Sequence, residues 1–456
     1  MSPPPRVLLE ALGCRLNEAE LEEWAQGFRR LGLEVAGEGE GADLPVDLVV
    51  INSCAVTREA ARKSRQLLRR AHRTNPKARL VVTGCLAALD GDALAREAGL
   101  DLLVTNRDKD RLVTLAAEAL SLPTMPELAS RDAAGTLFSR GRQRAFVKVQ
   151  DGCRHACTFC ITTRARGEER SRSPESVVEL VNRLSGSGVR EVVLCGVHLG
   201  GYGSDLDSDL GRLIRTLLEH TSVPRIRLGS LEPWDLSRGF WELFADPRLL
   251  PHLHLPMQSG SDTVLRCMAR RCRTTEFARL AEQARAAVPG LNITTDIIVG
   301  FPGETESEWA ETLDFVEAIG FGQIHAFCYS PRNGTRAAVL PGRVDAATTR
   351  RRAQELRDLG KLLRRRVLKE QTGACAAVLR EAGPRTAGPN ELFGYTPNYL
   401  PILVDPAPDA PAIGEVMEVE VLGPSTGGEY LRGRLARTQA RHRDPGWIAF
   451  QPDRGD

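Results

Sequence analysis

The stretch "AFVKVQDGCRHACTFC", residues 145–160, decides how the rest of the chain is read. Its first six residues have the apolar character of a buried strand. Cys153, Cys157 and Cys160 follow at once in a C-x3-C-x2-C arrangement. A short loop of this spacing wraps three irons of a cubane cluster and leaves the fourth iron without a protein thiolate. Zinc in a closed structural site takes four protein ligands. His155 is no natural fourth ligand, because it lies inside the loop between the first two thiols. A zinc knuckle is the alternative for such a cluster.

Downstream, strand-like runs recur at "EVVLCGV" (191–197), "RIRLGSL" (225–231), "HLHLPM" (252–257), "NITTDIIVGF" (292–301) and "GQIHAFCYS" (322–330). Helical patterns separate several of them. Six such units starting from the cysteine-bearing strand predict an open or partial TIM-like barrel over 144–370. Its last part, 349–370, reads as a helix, and positions 350–370 hold nine basic against three acidic residues. Beyond it, "GACAAVLR", "LPILVD" and "EVMEVEVLG" are short strand candidates between Pro/Gly turns, the pattern of a small β-barrel at 371–436. Residues 437–456 are left as a C-terminal tail.

Upstream, residues 1–120 also alternate strand and helix. "RVLLEAL" (6–12), "VDLVVIN" (46–52), "ARLVVTG" (78–84) and "LDLLVTN" (100–106) alternate with helical stretches at 17–32, 58–73 and 89–97. The expectation is an α/β class with a Rossmann-like parallel sheet. The Pro/Gly/Ser-bearing residues 121–143 read as a linker. Cys14, Cys54 and Cys85 each stand just past a predicted strand. In a parallel sheet those ends share one edge, the edge where open α/β folds bind ligands. Three thiolates there hold zinc with a fourth ligand, or an iron–sulfur cluster with one iron open; the spacing does not choose.

At 456 residues with a net charge of +2, the chain exerts no global attraction on nucleic acid, although local patches can. The N-terminus has no apolar core long enough for a signal peptide, and no run reaches the roughly 18 apolar residues of a membrane span. The expectation is a cytoplasmic protein without membrane contact. In reducing cytosol, clustered thiols mean metal or catalysis rather than disulfides, which matters for a chain with eleven cysteines. Cys195, Cys267, Cys272, Cys328 and Cys375 share no ligand spacing and read as structural.

The C-x3-C-x-aromatic-C loop at the start of a partial barrel resembles the radical SAM superfamily. Together, "LGCRLNEAE", "NSCAVTREAARKSRQ", "VVTGC", "HLHLPMQSGSDTVLRCMARR", "DIIVGFPGETE" and "YSPRNGTRAA" resemble, in order, the blocks of its methylthiotransferases. That family joins a three-cysteine N-terminal domain, a radical SAM barrel and a C-terminal TRAM β-barrel. The resemblance implies two [4Fe–4S] clusters, one on Cys153, Cys157 and Cys160 and an auxiliary one on Cys14, Cys54 and Cys85. It also implies S-adenosylmethionine as methyl donor and radical source, with Phe159 packing near its adenine. Gly196 in "LCGVHLGGYG", Glu232 in "LGSLEP", and Asp296 and Gly300 in "TTDIIVGFPGETE" are the further cofactor-binding candidates. No side chain is needed as a base for hydrogen abstraction, so none is singled out as catalytic.

"LGCRLN" and "NSCAVT…RKSRQ" look most like the branch that adds a methylthio group to C2 of N6-threonylcarbamoyladenosine, next to the anticodon of tRNA. The alternatives are methylthiolation of isopentenyladenosine in tRNA or of a ribosomal-protein aspartate, and, from another class, a non-catalytic iron–sulfur RNA-binding protein. The implied partners are the anticodon stem-loop, an external electron donor and a sulfur donor. Electrostatic candidates for RNA phosphates are the small β-barrel, the basic helix before it, and "KSRQLLRRAHR" (63–73). Phe393, Tyr395 and Tyr399 suit either base stacking or a barrel core.

Overall fold

In the computed structural model the described residues are 4–36, 45–122, 143–237, 239–384, 388 and 390–436. The linker at 121–143, save residues 121, 122 and 143, and the tail at 437–456 lie outside them. The chain begins with β1 (Arg6–Ala11), α1 (Arg15–Arg30), β2 (Glu34–Ala36), β3 (Leu48–Ser53), α2 (Arg58–Thr74), β4 (Arg79–Gly84), α3 (Cys85–Ala98), β5 (Leu102–Leu103) and α4 (Leu112–Ala119). The strands form one parallel sheet in the order β2-β1-β3-β4-β5. Central strand β3 is buried at every position, as a continuous apolar run in a two-sided sheet must be. Leu21, Trp24, Ala25 and Phe28 repeat at helical spacing and put one stripe of α1 on one face, with Leu112 of α4. Leu68 of α2 and Leu86 of α3 cover the other face. "LDLLVTN" pairs over only two residues, because it is the edge strand.

The second unit contains β6 (Arg144–Lys148), β7 (Gln150–Asp151), α5 (Thr162–Arg166), β8 (Arg170–Ser171), α6 (Pro174–Gly186), β9 (Glu191–Cys195), α7 (Leu210–His220), β10 (Arg225–Leu228), β11 (His252–His254), α8 (Asp262–Cys267), α9 (Thr274–Ala287), β12 (Asn292–Val299), α10 (Glu306–Ile319), β13 (Gln323–Cys328) and α11 (Ala346–Glu370). Parallel pairing gives β6-β9-β10 and β11-β12-β13. Parallel bridges Ile226–Leu249 and Ser230–His254 join the two sets. The result is an arc of six parallel strands whose outer members, β6 and β13, do not pair with each other: a partial barrel. Its wall is an apolar cluster of Val, Leu, Ile and Phe side chains, each contributing about 1.5–3 kcal/mol when fully buried.

The last unit, β14 (Cys375–Glu381), β15 (Leu392–Tyr395), β16 (Pro401–Val404), β17 (Val416–Pro424) and β18 (Leu431–Leu435), is a closed five-stranded barrel in the order β14-β15-β16-β18-β17, consistent with a TRAM-like domain. It docks on the N-terminal ends of the partial barrel's strands. Glu191 sits at the centre of that joint, fully buried, with Arg227 Nε and Arg225 Nε each 2.9 Å away. Burial pushes its carboxyl up, but Arg227, Arg225 and Arg144 hold it far below the usual carboxylate range. The arginines then reach across the joint. Arg144 Nη2 donates to Glu381 Oε1 at 2.6 Å, Arg225 Nη1 to the Ala377 carbonyl at 2.9 Å, and Arg227 Nη1 to the Pro397 carbonyl at 3.0 Å. No helix among the described residues is long and apolar enough to cross a membrane.

Candidate functional site

The first three cysteines end up together. Cys14 is the N-cap of α1, Cys54 follows β3 by one residue, and Cys85 opens α3. Two glycines allow the loops to converge. Gly13 has φ +106°, and a Cβ there would stand 2.6 Å from Cys54 Sγ. Gly84 has φ +99°, and a Cβ there would overlap the Ser53 carbonyl oxygen. Burial pushes the Cys54 thiol up to about 11, and the neighbouring Cys85 and Cys14 thiols push the same way.

Beneath these thiols lies a buried ionic knot. Glu20 of α1 accepts from Lys109 Nζ at 2.7 Å, from Asn52 Nδ2 at 2.8 Å and from Arg166 Nη1 at 3.1 Å. Arg166 also donates to Asn17 Oδ1 at 2.7 Å and to Asp151 Oδ1 at 2.9 Å. Asn17 in turn lies 3.7 Å from Cys14 Sγ. Burial raises the Glu20 carboxyl, yet Lys109, Arg166 and Lys148 together hold it well below its ordinary range. The knot ties α1 to the partial barrel and places cationic Arg166 and Lys109 beside the thiols, the charge that thiolate ligands want.

Cys153, Cys157 and Cys160 lie in the loop after β7, all partly buried. Backbone N–H groups of His155 and Thr162 donate to Cys153 Sγ at 3.4 Å and Cys160 Sγ at 3.3 Å. Arg270 Nη1 stands 3.8 Å from Cys157 Sγ. Burial drives the Cys153 thiol up to about 12. The loop is pinned by Thr158, whose N–H donates to the Met268 carbonyl at 3.0 Å and whose own carbonyl accepts from Ala337 at 2.8 Å. Phe159 packs with Ile298, Phe301 and Tyr329 in an apolar patch. Behind the loop, His198 is fully buried between Glu169 at 2.5 Å and Asp235 at 2.6 Å, with His155 Nε2 2.9 Å from its own Nε2. The groups of His, Cys, Asp and Glu side chains whose ligand atoms lie within 4.8 Å of one another include neither complete cysteine triad.

A cavity of about 850 Å3 runs through the partial barrel. Cys14, Cys85, Gly196 and Glu232 line it near the C-terminal strand ends; His252, Asn292 and Tyr399 line it near the N-terminal ends. Arg15 and Leu16 of α1, beside β6, and Arg364 of α11, beside β13, close the open side, and the 395–401 segment of the small barrel closes the floor. Glu232 is partly buried, and desolvation raises its carboxyl against the pull of Arg270. Asp296 faces His254, with Nε2 to Oδ1 3.3 Å, and His325 completes that cluster.

Of the residues read from sequence, Gly196, Glu232 and Asp296 reach the cavity with Cys14 and Cys85. Gly300 is outside its described lining; it packs under α11 against Thr349, and its N–H donates to Glu304 Oε2 at 3.0 Å. Cys195, read as structural, lines the cavity beside the first triad. Phe393 is buried in the small barrel. Tyr395 and Tyr399 stack on each other at 4.9 Å, and Arg144, Arg227 and Arg15 crowd the Tyr399 ring. Sequence reasoning missed the Glu20 knot and the His198 cluster. The signal for the first was the charge inside "NEAE" and "RARG", on positions that amphipathicity alone assigns to solvent.

Family comparisons agree with this layout. Residues 147–316 match the model of the Radical SAM superfamily, and residues 6–105 match the Uncharacterized protein family UPF0004. The chain is 34% identical, over 94% of its length and 96% of the relative, to the threonylcarbamoyladenosine tRNA methylthiotransferase MtaB of Bacillus subtilis. It is 33% identical to the MtaB of Thermotoga maritima, over 82% of this chain and 86% of that one. It is also 33% identical to a tRNA-2-methylthio-N(6)-dimethylallyladenosine synthase of Bacillus velezensis, over 91% and 83%. Among solved structures, the radical S-adenosylmethionine methyltransferase TsrM of Kitasatospora setae, with cobalamin and a [4Fe-4S] cluster bound, shares the fold at a TM-score of 0.55. That match is 15% identical and covers 74% of this chain and 77% of that one.

Proposed function

Because this chain belongs to the radical SAM methylthiotransferases, enzymes that transfer a methylthio group, we propose that it acts on C2 of N6-threonylcarbamoyladenosine next to the anticodon of tRNA. Both named relatives modify tRNA adenosines, and they differ in the group on N6: one polar and carboxylate-bearing, the other an apolar dimethylallyl. The observation that carries the choice is the polarity of the cavity floor. His252, His254, Asn292, Gln323, His325 and Arg364 line it. A dimethylallyl group there would leave His252 Nδ1 and Asn292 Oδ1, which have no partner among the described residues, desolvated and unpaired at about 1–3 kcal/mol each. A threonylcarbamoyl group instead offers carboxylate, hydroxyl and urea atoms to them. Burial lowers the pKa of His325 and, with Arg227, of His252. Both rings are therefore neutral near pH 7, able to donate or accept, while Arg364 and Arg15 supply the positive charge for a carboxylate.

The donor sets suit two [4Fe–4S] clusters. Each set offers three thiols, the number that holds a cubane and leaves one iron open. Cys153, Cys157 and Cys160 would hold the one that, when bound, supplies the electron for reductive cleavage of S-adenosylmethionine. Cys14, Cys54 and Cys85 would hold the auxiliary one, with Arg166 and Lys109 offsetting its negative charge. Gly196, Glu232 and Asp296, which line the cavity, are the proposed contacts to S-adenosylmethionine, with Gly300 and Phe159, both outside its described lining, as the further candidates. The cavity, which Cys14 and Cys85 line, would receive the adenine at its C-terminal end. Residues 1–120 serve as the auxiliary-cluster domain, 144–370 as the radical SAM core and 371–436 as the TRAM domain. An electron donor and a sulfur donor act from outside, and the compartment is the cytoplasm. Nucleoside analysis of tRNA from a strain lacking the gene tests the reading. Loss of 2-methylthio-N6-threonylcarbamoyladenosine is expected; loss of the dimethylallyl derivative instead would overturn it.

A further inference from the structure

The basic helix α11 is a poorer RNA surface than its composition promises. Arg352 is buried on Glu304, Arg351 pairs with Glu306 and Glu355, Arg366 with Glu317, and Arg364 is turned onto Gln323. Helix α2 behaves differently, although of the stretch 63–73 only Arg65 takes part: the first turns of the helix line a second cavity. This cleft of about 590 Å3 lies in the seam between the N-terminal sheet domain and the partial barrel. Arg58, Arg62 and Arg65 project into it from one face of α2, at i, i+4 and i+7, and Arg164 and Arg332 face them from the barrel. Asp90 is the single carboxylate among the described lining residues. Arg65 is paired with Asp90 and Glu97, and Arg62 with Glu59. No carboxylate pairs with Arg58, Arg164 or Arg332 among the described residues, and Arg332 keeps a buried Nε without a partner.

The cleft adjoins the mouth of the central cavity. Val56, two residues before Arg58, and Phe327, five before Arg332, both line that cavity, and both are large apolar side chains left exposed, at 47% and 46%. A base whose C2 must enter the cavity has to leave its stack, and its ribose-phosphate backbone stays outside. We propose that the five-arginine cleft binds the RNA phosphates flanking the extruded adenosine, with Phe327 and Val56 as the apolar rim the base passes. The inference rests on tRNA being the substrate.

Anisotropy titrations of a fluorescent anticodon stem-loop RNA with reconstituted enzyme, across a potassium chloride series, test it. Arg58→Gln/Arg332→Gln is expected to bind on the order of 10-fold more weakly at low salt, with a log–log salt slope smaller by about two. Its S-adenosylmethionine cleavage without RNA should be unchanged. Arg212→Gln/Arg215→Gln, on the exposed face of α7, should keep the original affinity. Unchanged affinity and slope in the first variant would overturn the proposal. A second measurement needs no altered protein: stem-loops with neutral methylphosphonates flanking the target adenosine should lose affinity to a similar degree, and full retention would also overturn it. If the unaltered enzyme binds no stem-loop at all, the tRNA reading fails and takes the cleft with it. Binding that ignores both changes sinks the cleft alone.

Discussion

At the scale of single residues, the site depends on atoms that no cysteine motif reveals. Gly13 is one. Gly13→Ala drives a methyl group toward Cys54 Sγ from a backbone at φ +106°, so iron bound at the N-terminal triad should fall while S-adenosylmethionine cleavage persists; metal analysis beside a cleavage assay reads both. Glu20 is another. Glu20→Ala leaves Lys109 buried without a carboxylate and strips Lys148 and Arg166 of one of theirs, and should cost about 3–5 kcal/mol in denaturant unfolding. The carboxyl also sets a pH dependence. Its folded pKa lies well below the ordinary value of 4.5, so its stabilisation is complete above 4.5 and is lost as pH falls toward the folded value. Melting temperatures should decline on acidification below 4.5, and Glu20→Gln should flatten that decline. In the cavity floor, Arg364→Leu should raise KM for a threonylcarbamoyl-bearing stem-loop about 10–100-fold, the worth of one charged hydrogen bond, with S-adenosylmethionine cleavage retained.

At the scale of elements, the sequence was legible where one strand or helix carries its own pattern. Except for β2, a three-residue edge strand that no apolar run announces, the strands of the parallel sheets start within a residue or two of their apolar runs. The three cysteine positions followed from strand ends alone. Strands β15 and β18 were not legible. "LFGY" and "LRGRL" each carry a central glycine, and β18 alternates with exposed arginine; Gly433 is there because a side chain would collide with Val419 across the tight barrel. Nor does any pattern announce the 396–400 segment as a plug in the floor of the partial barrel. Tyr399 sits at φ +65° with Arg227 4.4 Å from its ring and Arg15 donating to its hydroxyl at 3.1 Å. Only contacts between residues hundreds of positions apart define that role. Tyr399→Ala should cost about 2–4 kcal/mol and loosen the small barrel, seen as faster limited proteolysis near residue 371.

At the scale of the whole molecule, three units enclose one cavity that none of them contains. The sheet domain brings Cys14, Cys54 and Cys85 to one edge, with Cys14 and Cys85 on the cavity; the partial barrel carries Cys153, Cys157 and Cys160 in the loop after β7, outside the cavity's described lining; and the small barrel seals the floor. The surface charge of the helices misled in one direction: three of the α11 arginines, Arg351, Arg352 and Arg366, are paired with carboxylates, while Arg58, Arg62 and Arg65 of α2 line the cleft beside the cavity mouth. The central claim is that the two triads are independent cluster sites serving one reaction. Iron analysis after anaerobic reconstitution tests it most directly, on the unaltered chain, on Cys14→Ala/Cys54→Ala/Cys85→Ala and on Cys153→Ala/Cys157→Ala/Cys160→Ala. About eight irons per chain are predicted for the first and about four for each variant, with S-adenosylmethionine cleavage surviving only in the N-terminal variant. An N-terminal variant that keeps all the iron of the unaltered chain would contradict the account.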